Sequence, residues 1–290
     1  MQKSLKKYFP VFILPTLAAF TISFIAPFVM GAYLSFTEFK VVNESKWVGL
    51  ANYIKIFTTD KTFLDSLWLT VKFTAVSIVT INIIAFALAL LLTKGIKGTN
   101  FFRTVFFMPN LIGGIVLGHI WSLIINGVLG YFGVDITYKA EYGFWGLVVL
   151  MNWQLIGYMM VIYISGIQNI SPDLIEAAQI DGANSVQRLF HITIPQVMPS
   201  ITICLFLTLT NSFKLFDQNL ALTEGMPIAF QPDGTMVNTT EMLALNIYKT
   251  FYASANSRGV AQAKAVMFFI IVAILALLQL KLTRDKEVQA

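Results

Sequence analysis

The sequence predicts an all-α, polytopic membrane protein with six transmembrane helices and a short cytoplasmic helix pair. Three observations lead there. Of 290 residues, 57% are hydrophobic and 12% are charged, about half the ~25% charge of soluble domains. Six apolar runs, approximately 10–36, 67–92, 104–125, 144–166, 196–216 and 261–280, each reach the ~20 residues that a helix needs to cross a bilayer. Between the fourth and fifth runs lies a polar, helix-forming insert, Glu176–Pro195, reading EAAQIDGANSVQRLFHITIP. The runs are continuous, whereas barrel strands would alternate over roughly ten residues. A backbone in lipid must also satisfy its polar groups within its own segment, as a helix does. The whole chain, 1–290, then reads as one transmembrane domain.

Charge placement sets the orientation. Segments 1–8, 93–103, 167–195 and 281–290 hold ten Lys/Arg. The opposite segments, 37–66, 126–143 and 217–260, hold seven Lys/Arg and ten Asp/Glu in far more loop. The Lys/Arg-dense side is expected to be cytoplasmic, so both termini and loop 167–195 face the cytoplasm of a cell (cytoplasmic or inner) membrane. Orientation and lipid head groups account for the basic residues, which excludes nucleic acid as a partner. Lys3, Lys6 and Lys7 precede an apolar run too long for a signal peptide, so the first run reads as an uncleaved span. Cys204 is the only cysteine, which leaves no disulfide framework. His119 and His191 fall on different elements, so no metal cluster is expected, and no catalytic cluster points to an enzyme.

Along the chain, Pro10, Pro15 and Pro27 are expected to kink the first span. Trp47, Tyr53 and Phe57 place part of loop 37–66 at the membrane interface. The third run carries Pro109, Gly113, Gly114 and Gly118, small residues that permit close helix packing. Loop 217–260, rich in Gly, Pro, Thr and Asn, reads as turns and a short helix.

The cytoplasmic insert reads as two short helices. Ser171-Pro172-Asp173 suits a helix start, by capping, proline at the first position and an acid in the first turn. Leu174, Ile175, Ala178 and Ala177 make an apolar strip, and Gly182 suits the left-handed stop. Asn184 or Ser185 can cap a second helix, 185–192, bearing Val186, Leu189 and Phe190; Pro195 and Pro199 then break the chain. A connector resting on lipid usually carries Lys/Arg on its polar face. This one offers Asp173, Glu176 and Asp181 against Arg188, so docking against a protein is the better account.

The pattern Glu176-Ala177-Ala178-x-x-Asp181-Gly182-Ala183, followed by Gln187, Phe190, Ile192, Ile194 and Pro195, resembles the EAA motif of binding-protein-dependent ABC importer permeases, in its carbohydrate-importer form. Gly49-Leu50-Ala51-Asn52-Tyr53 is similar to the Gly-Leu-x-Asn-Tyr of the family's first outer loop. Leu222-Thr223-Glu224-Gly225-Met226-Pro227 is similar to its Leu-Thr-x-Gly-Gly-Pro turn, with Met226 at the second glycine. These favour the maltose- and glycerol-phosphate-type first permease subunit, without its large extra outer domain. The resemblance implies that Glu176, Ala177, Ala178, Asp181, Gly182 and Ala183 couple to a cytoplasmic ATPase. It implies a second homologous permease in a heterodimer, two ATPase domains and an extracytoplasmic solute-binding protein. No G-x-x-x-x-G-K-[ST] segment is present, so no cofactor is expected in this chain; ATP and magnesium belong to the partner ATPase.

A sugar path needs hydrogen-bonding groups on an apolar bundle. The fourth run supplies Asn152, Trp153, Gln154 and Tyr158, and the fifth a stripe of Thr208, Asn211, Ser212 and Leu215. Residue-by-residue resemblance to the maltose-type subunit implies sugar contacts at Met151, Gln154, Leu155, Tyr158, Thr208, Asn211, Ser212 and Leu215. The residue types differ from the maltose-type set, so a raffinose-type or maltose-type oligosaccharide is the expected class rather than maltose itself. The alternative for these polar groups is bonding across helices. Lys72, Lys214 and Lys264 read as snorkelling to the outer interface; if all three faced the bundle, glycerol phosphate or another acidic solute would gain weight. A self-contained secondary transporter is the other class, disfavoured because no acid lies well inside the runs.

Overall fold

The computed structural model describes residues 2–60, 62–232 and 234–284. Helices α1 (Gln2–Phe20) and α2 (Ala26–Leu34) are joined by a π-turn at Thr21–Ile25. Pro27 has no amide to offer the preceding turn, and the wider π spacing, with the Ala26 amide on the Thr21 carbonyl, absorbs that gap without ending the helix. Next come the paired strands β1 (Thr37–Glu38) and β2 (Lys46–Trp47), then α3 (Ala51–Thr58) and α4 (Thr62–Leu92). Helix α5 (Thr99–Phe107) and α6 (Gly114–Leu129) flank a tight turn at Met108–Leu111, and α7 spans Ala140–Gln168. The polar insert forms α8 (Pro172–Ile180), α9 (Ser185–Arg188) and α10 (Ile194–Gln196), the last two joined through a π-turn at Leu189–Thr193. Helix α11 (Met198–Phe213), α12 (Asp217–Leu222), the hairpin β3 (Ile228–Phe230) and β4 (Met236–Asn238), α13 (Leu243–Ala253) and α14 (Arg258–Arg284) complete the order.

Among the described residues, five helical stretches are long and apolar enough to cross a membrane: Ile13–Leu34, Thr62–Leu92, Gly114–Phe132, Ala140–Gln168 and Ala255–Arg284. Ser185–Gln196 and Met198–Phe213 reach that length and apolarity only when taken together, and they are bent by 70° at the break between them. Two expected spans shift. The run 104–125 is not one helix: Pro109 and the extended Gly113 (φ −61, ψ 140) divide it, so the span begins at Gly114. The run 196–216 begins after the bend at Val197, and its helix ends at Phe213, which leaves Leu215 beyond it. Loop 217–260 holds more order than turns and one helix, because its polar side chains bond one another across the loop.

The chain forms two compact units, Met1–Lys61 with Ile247–Phe269 and Thr62–Asn246 with Ile270–Ala290. In the first, Asn52 is the joint. Its buried amide donates to the Ser35 carbonyl at 2.9 Å and the Thr37 carbonyl at 2.8 Å, fixing α3 against the end of the first span. Tyr53 Oη lies 2.8 Å from Ser35 Oγ, and Phe36 stacks on Trp47. Lys264, expected to snorkel, is instead fully buried and pairs with Asp60 at 2.5 Å and Thr250 Oγ1 at 2.7 Å. Pairing replaces the water that a buried ammonium would otherwise need.

The second unit centres on α7, packed against α4, α5 and α11. Its core includes Phe73, Ile81, Leu147, Leu150, Met159 and Tyr163. Gly157 lets the α5 backbone approach, since a Cβ there would overlap the Phe106 carbonyl. Gly118 does the same for α12, where an added Cβ would stand 2.6 Å from the Ala221 Cβ. Packing is therefore the use of Gly114 and Gly118, whereas Gly113 faces open space.

Candidate functional site

The polar loop between α7 and α11 is fixed at both turns by backbone geometry. Pro172 opens α8 after an extended Ser171, but the serine hydroxyl makes no cap bond; the Ser171 carbonyl accepts from the Leu174 amide instead. At the other end Gly182 adopts φ +78. The Ala183 amide reaches the Ala178 carbonyl at 2.9 Å and the Gly182 amide the Gln179 carbonyl at 3.1 Å, the bond pair of a Schellman stop. Asn184, two residues on, builds a full capping box. Its Oδ1 accepts from the amides of Val186 and Gln187 at 3.0 and 2.9 Å, and Gln187 Oε1 accepts from the Asn184 amide at 2.8 Å. The glutamine that completes this box stands at the third position of α9, the spacing a capping box requires.

Two turns so closely placed leave α8 with distinct faces. Ile175 and Ala178 are half-buried, as is Ala183 beyond the turn, while Glu176, Ala177, Asp181 and Gly182 are exposed. Leu174 and Ile180 are exposed as well, Ile180 at 87%. The predicted apolar strip thus divides: one part seats the helix, and the other stands outward among Asp173, Glu176 and Asp181. An apolar surface rimmed by acids, held on a rigid two-turn frame, is suited to docking a protein.

The eight residues assigned to a solute path all lie in the second unit. Met151, Gln154, Leu155, Thr208, Ser212 and Leu215 are buried, and Tyr158 and Asn211 are half-buried. Thr208 is engaged in packing: its Oγ1 donates to the Cys204 carbonyl at 2.7 Å and accepts from Asn82 Nδ2 at 3.2 Å. Gln154 Oε1 accepts from Gln218 Nε2 at 2.8 Å, and Asn211 donates to the Leu207 carbonyl at 2.8 Å. Ser212 Oγ is buried with no hydrogen-bond partner. Tyr158 stacks edgewise on Phe107. Lys72 and Lys214 are exposed, and Lys72 lies over the Trp68 ring.

Two organising residues, Asn82 and Asn219, escaped the sequence reading, and a third, Asn152, was read only as part of a sugar path. Asn82 accepts from Tyr163 Oη at 2.7 Å while donating to Thr208, tying α4 to both α7 and α11. Asn152 donates to Thr80 Oγ1 at 3.0 Å, so it also ties α4 to α7. Asn219 donates to the Thr240 carbonyl at 2.8 Å and accepts from the Met242 amide at 2.9 Å, stitching the Thr223–Pro227 turn to the chain entering α13. Their signal was only a buried polar residue in an apolar run, and nothing in one sequence tells which partner it meets.

Comparison with known proteins gives consistent results. Residues 82–287 match the family described as binding-protein-dependent transport system inner membrane component. The chain is 44% identical to a probable starch degradation products transport system permease protein of Thermoanaerobacterium thermosulfurigenes, over 96% of this chain and 94% of that one. It is 31% identical to a multiple sugar-binding transport system permease protein of Streptococcus mutans, over 99% of each. In fold it resembles a chain of a bacterial alginate ABC transporter, solved in complex with an alginate pentasaccharide-bound periplasmic protein. The TM-score is 0.77 at 19% identity, covering 98% of this chain and 97% of that one.

Proposed function

Because the chain belongs to the family of binding-protein-dependent transport system inner membrane components, we propose that it is the permease subunit of an ATP-driven importer of oligosaccharides, of the kind released from starch. It is a transport subunit and not an enzyme. The observation that carries the reading is the rigid α8–α9 frame with its outward apolar and acidic face. A separate cytoplasmic ATPase, holding ATP and magnesium, docks on Glu176, Ala177, Ala178, Asp181, Gly182 and Ala183. A homologous second permease completes the path, and a sugar-loaded binding protein delivers solute to the outer side. Both termini then lie in the cytoplasm.

The 44% identity to a starch-product permease supports the substrate class. Within the path, Gln154, Tyr158, Asn211 and Ser212 supply hydrogen-bonding groups, while Met151, Leu155 and Leu215 supply apolar surface. Thr208, committed to Asn82, holds the helices that present them. The test is uptake of radiolabelled maltotriose by cells lacking the native gene and complemented with this chain. Glu176→Lys, which reverses a charge on an exposed side chain, is expected to abolish most uptake at unchanged membrane abundance. Normal uptake by that variant would remove the docking reading.

A further inference from the structure

A cavity of about 530 Å³ opens on the inner side of the α8–α9 loop, away from the acidic face. Leu90, Ile167, Ile170 and Ile175 wall it, and Lys94 and Arg188 stand at it as its two cations. No acidic side chain among the described residues lines it. Asp173, Glu176 and Asp181 are exposed on the opposite side of α8. We infer that this cavity binds one anionic phospholipid, with its phosphate between Lys94 and Arg188 and the start of an acyl chain on the isoleucine and leucine walls.

Depth, charge and shape each contribute. Lys94 follows the last residue of α4, Leu92, by two positions, and Ile167 lies in the last turn of α7. The cavity therefore sits where two spans end, the level of lipid phosphates. Ammonium and guanidinium groups there form charge-assisted hydrogen bonds to phosphate oxygens, and basic pockets between helices on the cytoplasmic side are suited to anionic head groups. Four branched aliphatic walls would gain nothing from free phosphate, but they gain from an acyl chain. The volume lies within the ~300–1,000 Å³ range of small-molecule sites. Arg188 leans on Ser185 Oγ at 3.3 Å, a hydroxyl that is itself part of the lining. A lipid seated here braces α8 and α9 on the ends of α4 and α7. Binding does not depend on the transport reading; only that consequence for coupling does.

The test is native mass spectrometry of the full chain, purified in a mild non-ionic detergent and titrated with dioleoylphosphatidylglycerol or dioleoylphosphatidylcholine. Each basic side chain is worth ~1 kcal/mol towards an anionic head group, so the two together predict about 30-fold tighter binding of the glycerol lipid at 1.4 kcal/mol per tenfold. Lys94→Gln with Arg188→Gln is expected to remove that preference, and Ile170→Ser to weaken both lipids. Lys97→Gln, in the same loop as Lys94 but outside the lining, is expected to change binding less than twofold. If the double variant melts early, Lys94→Gln alone is read instead, with about a fivefold loss. Equal binding of both lipids would overturn the inference, as would a loss with Lys97→Gln matching the double variant. Displacement by millimolar inorganic phosphate, which would make it a free-anion site, or by the purified partner ATPase, which would make it a protein interface, would overturn it too.

Discussion

Replacing Gly182 by alanine isolates one physical requirement of the proposed docking loop, its left-handed turn. The residue has φ +78, and a Cβ added there meets no heavy atom within 4 Å. The substitution therefore causes no overlap, and its whole cost is backbone strain of ~1–2 kcal/mol. The loop cannot slip to relieve it, because the Ala183 amide is held by Ala178 on one side and the Asn184 capping box begins on the other. At 1.4 kcal/mol per tenfold, the ratio of docked to displaced loop falls by about 5–30-fold. Gly95 is a matched control: φ +75 and equally open space, in a loop outside α8 and α9. The assay is the initial rate of maltotriose uptake alongside ATP hydrolysis by the reconstituted importer. Gly182→Ala is expected to lower uptake at least threefold and within the ~30-fold limit that this strain sets. Gly182→Asn should restore most of it, because asparagine enters the left-handed region more readily, and Gly95→Ala should leave uptake near normal. Equal loss in the two alanine variants, or none at Gly182, would refute the claim that this turn shapes the docking surface.

Three further outcomes follow from other parts of the chain. Gln154→Ala and Asn211→Ala should each raise the transport KM by about 2–12-fold, the worth of one hydrogen bond, without dissociating the complex. If Gln154 only packs, Gln218→Ala should reproduce its effect, since each is the other's partner. Asn52→Ala removes two buried bonds, to Ser35 and Thr37, and should cost about 1–3 kcal/mol, measured as a lower melting temperature of the purified chain. Asn52→Asp, the same shape without donors, should melt no higher than the alanine variant. For topology, a cysteine placed at Ser185 with Cys204 replaced by serine should resist membrane-impermeant maleimide in intact cells; labelling from outside would reverse the orientation.

Most of the fold was legible because lipid imposes a crude rule. A run of twenty apolar residues must be helix, so α4, α7 and α14 could be placed from composition alone. The rule failed where a run contains its own break. Pro109 and Gly113 were visible, but an apolar run does not say whether proline kinks a span or ends one. Here α5 ends and the span starts afresh at Gly114. The loop was legible in finer detail, since caps and stops are local: Gly182 could be assigned from its neighbours, and the cap narrowed to Asn184 or Ser185, of which Asn184 is the one used. Ser171 shows the limit, for its spacing suits a cap that the side chain does not make. The proposed solute path was the least legible. Thr208 and Asn211 look alike in a stripe, yet Thr208 is bound to Asn82, which is 126 residues away in sequence. Lys264 was misread for the same reason, because its partner Asp60 belongs to the other end of the chain.

The central claim is that a separate ATPase drives this chain through the outward face of α8. The most direct measurement is photocrosslinking in cells, with p-benzoylphenylalanine at Ala177, which is exposed on that face. The account predicts an adduct whose second component, identified by mass spectrometry, carries a G-x-x-x-x-G-K-[ST] nucleotide-binding segment. Adducts confined to lipid or to a second copy of this chain would contradict it.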